Sequence, residues 1–161
     1  MLIHPFEPLY DADCVALVLG TVPSPASRKA GFYYGHPRNR FWAALAAVFG
    51  APFPVSTEDR KRLALENHIA VWDVLASCEI EGAADSKIKN PVCNSFLPLL
   101  GRTKIRRVYT TGKKAYTLYT KFSARETGIA AVPLPSTSPA NCRMSFAELC
   151  GRYAALRTDQ L

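Results

Sequence analysis

The chain has 161 residues, with 20 Lys and Arg against 13 Asp and Glu and a formal charge of +7. Its 48% hydrophobic and 20% charged residues can fill a core, which excludes a disordered chain and fits one domain over 1–161. The pI near 9.3 points to a polyanionic partner, nucleic acid first. No apolar run approaches the ~20 residues of a membrane span, and Met1–Phe6 lacks the charged and apolar regions of a signal peptide. The five cysteines are scattered and never spaced C-x-x-C. That pattern supports neither a disulfide framework nor a zinc ribbon, and a reducing cytoplasm is expected.

Taken in chain order, Cys14–Gly20 is a continuous apolar run, the pattern of a buried parallel strand. A Pro/Gly/Ser-rich loop is expected from Thr21 to Pro37. Asn39–Phe49 then reads as a helix stopped by Gly50, and Ser56 with Asp59 opens another that carries Arg60–Asn67. Ile69–Val74 is the second strand. Asn90-Pro91 predicts a helix running to Leu100. Ile105–Thr110 is the third strand, and Gly112 opens a helix over Lys113–Phe122. Ile129–Leu134 is the fourth strand, and Ser145-x-x-Glu148 caps a last helix from Met144 to Arg157. Strands alternating with helices predict a parallel sheet covered on both faces, with chemistry beyond its carboxyl ends. Those ends are Gly20-Thr21, Asp73, Thr110–Gly112 and Pro135-Ser136.

The loop after the first strand gathers aromatics, glycines, His36, Asn39 and two arginines. Flat rings bind flat ligands, and glycines admit close backbone approach. It matches neither a Walker loop nor a dinucleotide fingerprint. Phe41 and Trp42 fit a core face, His36-Pro37 also fits a simple turn, and Asn39 also fits a helix cap. The Leu134–Asn141 loop carries two prolines, three hydroxyls and an amide, suited to gripping a phosphate backbone or to serving as a rigid connector. Between Asp85 and Glu126 there is no acidic residue but ten Lys and Arg. Lys113 and Lys114 open a helix, where anions are favoured, though a solvated basic face reads the same way.

Together these loops resemble the uracil-DNA glycosylase superfamily. Gly20-x-x-Pro23-Ser24, Gly31-Phe32-Tyr33-Tyr34-Gly35-His36-Pro37-x-Asn39-Arg40-Phe41-Trp42, Trp72-Asp73-Val74, Asp85-Ser86, Thr111–Lys114 and Leu134–Asn141 are similar to its hypoxanthine-DNA glycosylase branch. The resemblance runs from about Val15 to Tyr153. It implies an α/β fold, a three-layer α/β/α sandwich with a four-stranded parallel sheet. It implies a monofunctional, metal-free and cofactor-free repair enzyme that flips a deaminated base out of damaged DNA and hydrolyses its N-glycosidic bond. A monomer is expected. Two positions depart from the superfamily's commoner patterns: Val22 stands where an acid or amide often positions water, and Leu134 where the second motif often begins with His or Asn.

By the same resemblance, Asn39 orients the attacking water and Tyr34 stacks on the flipped base. Asp73 lies at the pocket floor, with Thr21, Val22, Pro23 and His36 around it. Ser24, Lys113, Lys114, Ser136, Thr137, Ser138 and Asn141 hold DNA, and Ser138–Asn141 is the expected wedge. An ionised Asp73 only accepts hydrogen bonds. It therefore suits the ring N–H of hypoxanthine or uracil and repels the bare nitrogen of adenine; a purely structural carboxylate is the other reading. His36 is a second candidate for handling protons. The rival functions are a uracil or mismatch-specific glycosylase, a DNA-binding module of the same fold without catalysis, and an unrelated enzyme of a small phosphorylated metabolite.

Overall fold

The computed structural model describes residues 1–81 and 87–159. In chain order its elements are β1 (Leu2–Ile3), β2 (Ala16–Gly20), α1 (Pro25–Ala30), α2 (Phe41–Val48), α3 (Thr57–Glu66), β3 (Ile69–Asp73), β4 (Leu75–Glu79), β5 (Lys89–Cys93), α4 (Leu97–Gly101), β6 (Arg107–Thr111), α5 (Lys113–Phe122), α6 (Ala124–Thr127), β7 (Ala131–Leu134), α7 (Phe146–Tyr153) and α8 (Ala155–Thr158). A 3-10 turn lies at Pro139–Asn141.

All five residues of β2 are buried, because both faces of this strand are covered. Period-two alternation sends Ala16 and Val18 to one face and Leu17 and Leu19 to the other. The first face packs on Phe41, Trp42 and Leu45 of α2, Leu63 of α3, and Leu149 and Tyr153 of α7. The second packs on Phe96 and Leu99 beside α4, and Ala115, Leu118 and Tyr119 of α5. Two cores on opposite faces of one sheet are the three expected layers. The sheet is parallel throughout, in the order β3-β2-β6-β7. Its register sets Gly20 beside Asp73 and Thr111 beside Leu134, so four strand ends open on one edge.

The helix starts follow their capping chemistry. Ser56 and Asp59 form the reciprocal box at the head of α3. Ser145 Oγ accepts the Glu148 N–H at 3.1 Å to start α7. The loop expected over Thr21–Pro37 contains a helix. Ser24 caps α1, Pro25 supplies its fixed φ at the first turn, and Gly31 ends it at φ 81°.

The helix expected from Asn90-Pro91 is a strand instead. β5 lies at the edge of a small antiparallel sheet, β1-β4-β5, where a proline's missing N–H costs no ladder bond. Asn90 sits at φ 50°, unsuited to a helix start. The proline that opens a helix is Pro98, in the first turn of α4. β4 follows β3 after Val74 alone, and Val74 and Leu75 donate N–H groups to the carbonyls of Gly20 and Thr21 at 2.8 and 3.1 Å. The expected Asp85-Ser86 motif lies outside the described residues.

Candidate active site

A cavity of about 620 Å³ opens at the carboxyl edge of the parallel sheet. Thr21, Val22, Pro23, Ser24, Tyr34, His36, Asn39, Asp73, Ser136, Thr137 and Ser138 all line it. These residues come from positions more than a hundred apart in sequence, and the parallel register of the strands brings their loops to one edge. Lys113 and Asn141 line a neighbouring groove of about 450 Å³ that shares Ser136. Lys114 follows Lys113 in the first turn of α5.

The floor is built over Gly20. A Cβ at this position would lie 2.5 Å from Asp73 Oδ1, 3.2 Å from Tyr34 Oη and 3.6 Å from Thr111 Oγ1. Three polar atoms therefore converge on the space that the absent side chain leaves. Asp73 is 4% exposed, and burial drives its carboxyl pKa above the ordinary value. His4 opposes that shift: its Nε2 lies 2.7 Å from Asp73 Oδ2.

Tyr34 carries a left-handed backbone, φ 53°, which is costly for a side chain with a Cβ. Two contacts hold it there. Its ring stacks on Phe41 at 4.0 Å and 14°, and its hydroxyl shares a hydrogen bond with Thr111 Oγ1 at 3.0 Å. One ring face is thus taken by Phe41, and Tyr34 also lines the cavity. Burial keeps the phenol protonated, with the Asp73 charge acting in the same direction.

Asn39 Oδ1 accepts the Phe41 N–H at 2.9 Å. This bond closes the entry to α2 and leaves the amide N–H₂ and one oxygen lone pair for other partners. His36 Nδ1 accepts the Arg38 N–H at 3.0 Å. In the neutral ring this places the proton on Nε2, which is then a donor. Val22 places an aliphatic group on the cavity wall, half-buried against the second core.

The Pro135–Asn141 loop is braced from within. Ser136 Oγ accepts the Ser138 N–H at 3.1 Å, and Ser138 Oγ accepts the Ala140 N–H at 3.2 Å. Asn141 Nδ2 donates to the Ser136 carbonyl at 2.9 Å, and buried Tyr153 donates to that of Pro135 at 2.6 Å. Thr137 is 2% exposed, and its carbonyl accepts the Arg40 N–H at 3.1 Å. The Arg40 guanidinium donates to the carbonyls of Asn141 and Met144 at 2.9 and 2.7 Å, tying this loop to the first.

The fold splits the acid-free basic run. Lys113 and Lys114 stand at the carboxyl end of β6, beside the cavity. Arg102, Lys104, Arg106 and Arg107 lie at or before its amino end, toward the opposite end of the sheet. Lys104 there pairs with Asp13 at 3.1 Å. His4, Ser27 and Ile80 escaped the sequence reading. His4 stands 69 positions from Asp73, and no local pattern marks their meeting. Ser27 Oγ accepts the Gly35 N–H at 3.1 Å, an ordinary brace inside the first loop. Among the described residues no group of three or more His, Cys, Asp or Glu is placed to hold a metal, and no helix is long and apolar enough to cross a membrane.

The sequence profile of the uracil DNA glycosylase superfamily matches residues 7–157. The chain belongs to that superfamily. A protein of Methanosarcina acetivorans called hypoxanthine DNA glycosylase is 33% identical over 149 residues, covering 90% of this chain and 92% of its own. One of Methanosarcina barkeri with the same name is 33% identical over 112 residues, 68% of this chain and 71% of its own. A solution NMR structure from Methanosarcina acetivorans, provisionally assigned as a uracil DNA glycosylase, superposes with a TM-score of 0.81 at 31% identity. That match covers 98% of this chain and 99% of the other. As a member of the superfamily the protein is a DNA glycosylase, an enzyme that hydrolyses the bond between a base and its deoxyribose.

Proposed function

We propose that the cavity receives a hypoxanthine flipped out of DNA and that the enzyme releases it, leaving an abasic site. The observation that carries this reading is the floor: a buried carboxylate oxygen, Asp73 Oδ1, aimed into the space over Gly20. It accepts the ring N–H of a deaminated base and meets the bare nitrogen of adenine with a lone pair. Leaving such a group unpaired in a buried site discriminates strongly. Tyr34 stacks on the base with the face that Phe41 leaves open. The names of the two Methanosarcina relatives support hypoxanthine over uracil, and Val22 agrees with them by removing the usual water-positioning group of uracil excision.

Flipping costs a few kcal/mol, which contacts to the flanking backbone offset. Lys113 and Lys114, Ser24, Ser136 and Ser138 supply them, and the stiff Ser138–Asn141 turn fills the vacated stack. Asn39 orients the attacking water. A neutral amide is no strong base, so most of the acceleration comes from holding water and sugar in line while charge separates.

Uracil presents the same N–H beside a carbonyl, and the solved relative is provisionally assigned to that activity. Base release under single turnover, from oligonucleotides carrying hypoxanthine, uracil, xanthine or a T mismatch, separates the two. The expected order places hypoxanthine first. Preference for uracil overturns the choice of base, and binding without release of any base overturns catalysis.

A further inference from the structure

His4 lies outside every motif of the chain, yet it is built into the floor. Its side chain and that of Asp73 are each 5% exposed. Its backbone N–H is anchored to the Ala76 carbonyl in β4 at 2.8 Å. Its ring is walled by Phe6 at 5.9 Å, edge to face, and by Tyr33 at 6.0 Å. Pro5 turns the chain so that the Phe6 N–H donates to Nδ1 at 3.1 Å.

That last bond decides the tautomer. A ring nitrogen that accepts a backbone N–H carries no proton, so the proton lies on Nε2. Nε2–H then donates to Asp73 Oδ2 at 2.7 Å. The two carboxylate oxygens thereby have separate tasks: Oδ2 is taken by His4, and Oδ1 faces the space over Gly20.

We propose that His4 is a positioning residue for base recognition, whose Nε2–H fixes the Asp73 carboxylate and keeps Oδ1 an unprotonated acceptor toward the base. This rests on the reading of Asp73 as the group that meets the base. Two arguments support it. Without a donor at Oδ2, a buried carboxyl gains by taking up a proton, which turns an acceptor into a donor and erases the distinction from adenine. Without the same contact, the carboxyl is also free to rotate about its last bond. The other titratable groups facing Asp73 do not supply that donor. The Tyr33 hydroxyl donates to the Glu7 carbonyl at 2.7 Å, and that of Tyr34 is engaged with Thr111. From β5's side, Asn94 Nδ2 reaches only the Asp73 main-chain oxygen.

The test compares wild type, His4→Leu, His4→Gln and Asp73→Asn in single-turnover release from hypoxanthine and adenine oligonucleotides, across acid to neutral pH. His4→Leu is expected to lower hypoxanthine release roughly a hundredfold and to move the acid limb of the pH profile toward higher pH. His4→Gln, which keeps an N–H near the Nε2 position, restores much of both. A His4→Leu protein that binds DNA like wild type and keeps the acid limb in place overturns the proposal. If Asp73→Asn leaves rate and base selection unchanged, the reading of Asp73 itself has failed, whatever His4→Leu does. The ¹⁵N shifts of the His4 ring in the wild-type protein test the same point without a variant. Nδ1 is expected unprotonated and Nε2 protonated at neutral pH, and the reverse tautomer overturns the proposal.

Discussion

Replacing Gly20 by alanine adds one carbon at the point where the floor's polar atoms meet. The new Cβ would stand 2.5 Å from Asp73 Oδ1, far inside the 3.4 Å at which ordinary van der Waals contact begins. The backbone itself tolerates alanine, since Gly20 ends a regular strand and has no positive φ. Relief must therefore come from neighbours, and each is fixed. Asp73 is bound to His4 through its other oxygen, and Tyr34 is held by Phe41 and Thr111. Overpacking of this kind costs about 1–3 kcal/mol, which lowers Tm by roughly 2–12 °C in a chain of this size. The loss of activity is expected to be larger than stability accounts for. Displacing a positioned group by about 1 Å costs on the order of a hundredfold in rate. Single-turnover release from a hypoxanthine oligonucleotide, measured well below the variant's Tm, reads that loss directly. Wild-type release from a folded Gly20→Ala protein would refute the placement of the base over Gly20.

Three further outcomes follow from the same geometry. Asn39→Ala should reduce base release by at least about a hundredfold with unchanged oligonucleotide affinity, and the lost bond to Phe41 should cost about 1 kcal/mol in a denaturation series. Release near the wild-type rate would remove Asn39 from the chemistry. Reversing Lys113 and Lys114 to glutamate should weaken DNA binding and flatten the plot of log affinity against log salt by about one unit per lysine; an unchanged slope places the backbone elsewhere. Asp73→Asn should stabilise the fold, by on the order of 1 kcal/mol at neutral pH. The native carboxyl holds its proton above the ordinary value of 3.8. Wild-type stability is therefore lost as pH rises from that value through the raised one, and an amide escapes the loss. Denaturation midpoints against pH check the sign: a pH-independent difference contradicts it.

The parallel sheet was legible because burial on both faces leaves uninterrupted apolar runs, as at Ala16–Gly20 and Ile69–Asp73. The cavity followed from it, since strand ends in such a sheet open on one edge. The loop motifs named its lining, with Tyr34, Asn39 and Asp73 among them. What escaped was tertiary. Pro91 carries the local signature of a helix start, and only pairing with β4 makes it an edge-strand residue. α1 was readable from Ser24-Pro25 and Gly31, but its six residues have too little periodicity to outweigh a run of turn formers. His4 had no signal at all, because its partner lies in another strand 69 positions away. The basic run is contiguous only in sequence. Neighbours in sequence were divided by β6, whose length carries Arg107 and Lys113 to opposite ends of the sheet.

Arg40 sets a limit on how the molecule can be re-engineered. Its main-chain N–H and its guanidinium together satisfy three carbonyls, those of Thr137, Asn141 and Met144, all in the second loop and its continuation. Asn39 is its immediate chain neighbour. A loop graft over 136–144 that moves those oxygens carries Arg40, and with it the Asn39 side chain. The walls of the cavity are therefore one mechanical part. Altering the loop's surface without moving Asn39 requires exchanging side chains on a preserved backbone and leaving the loop itself in place.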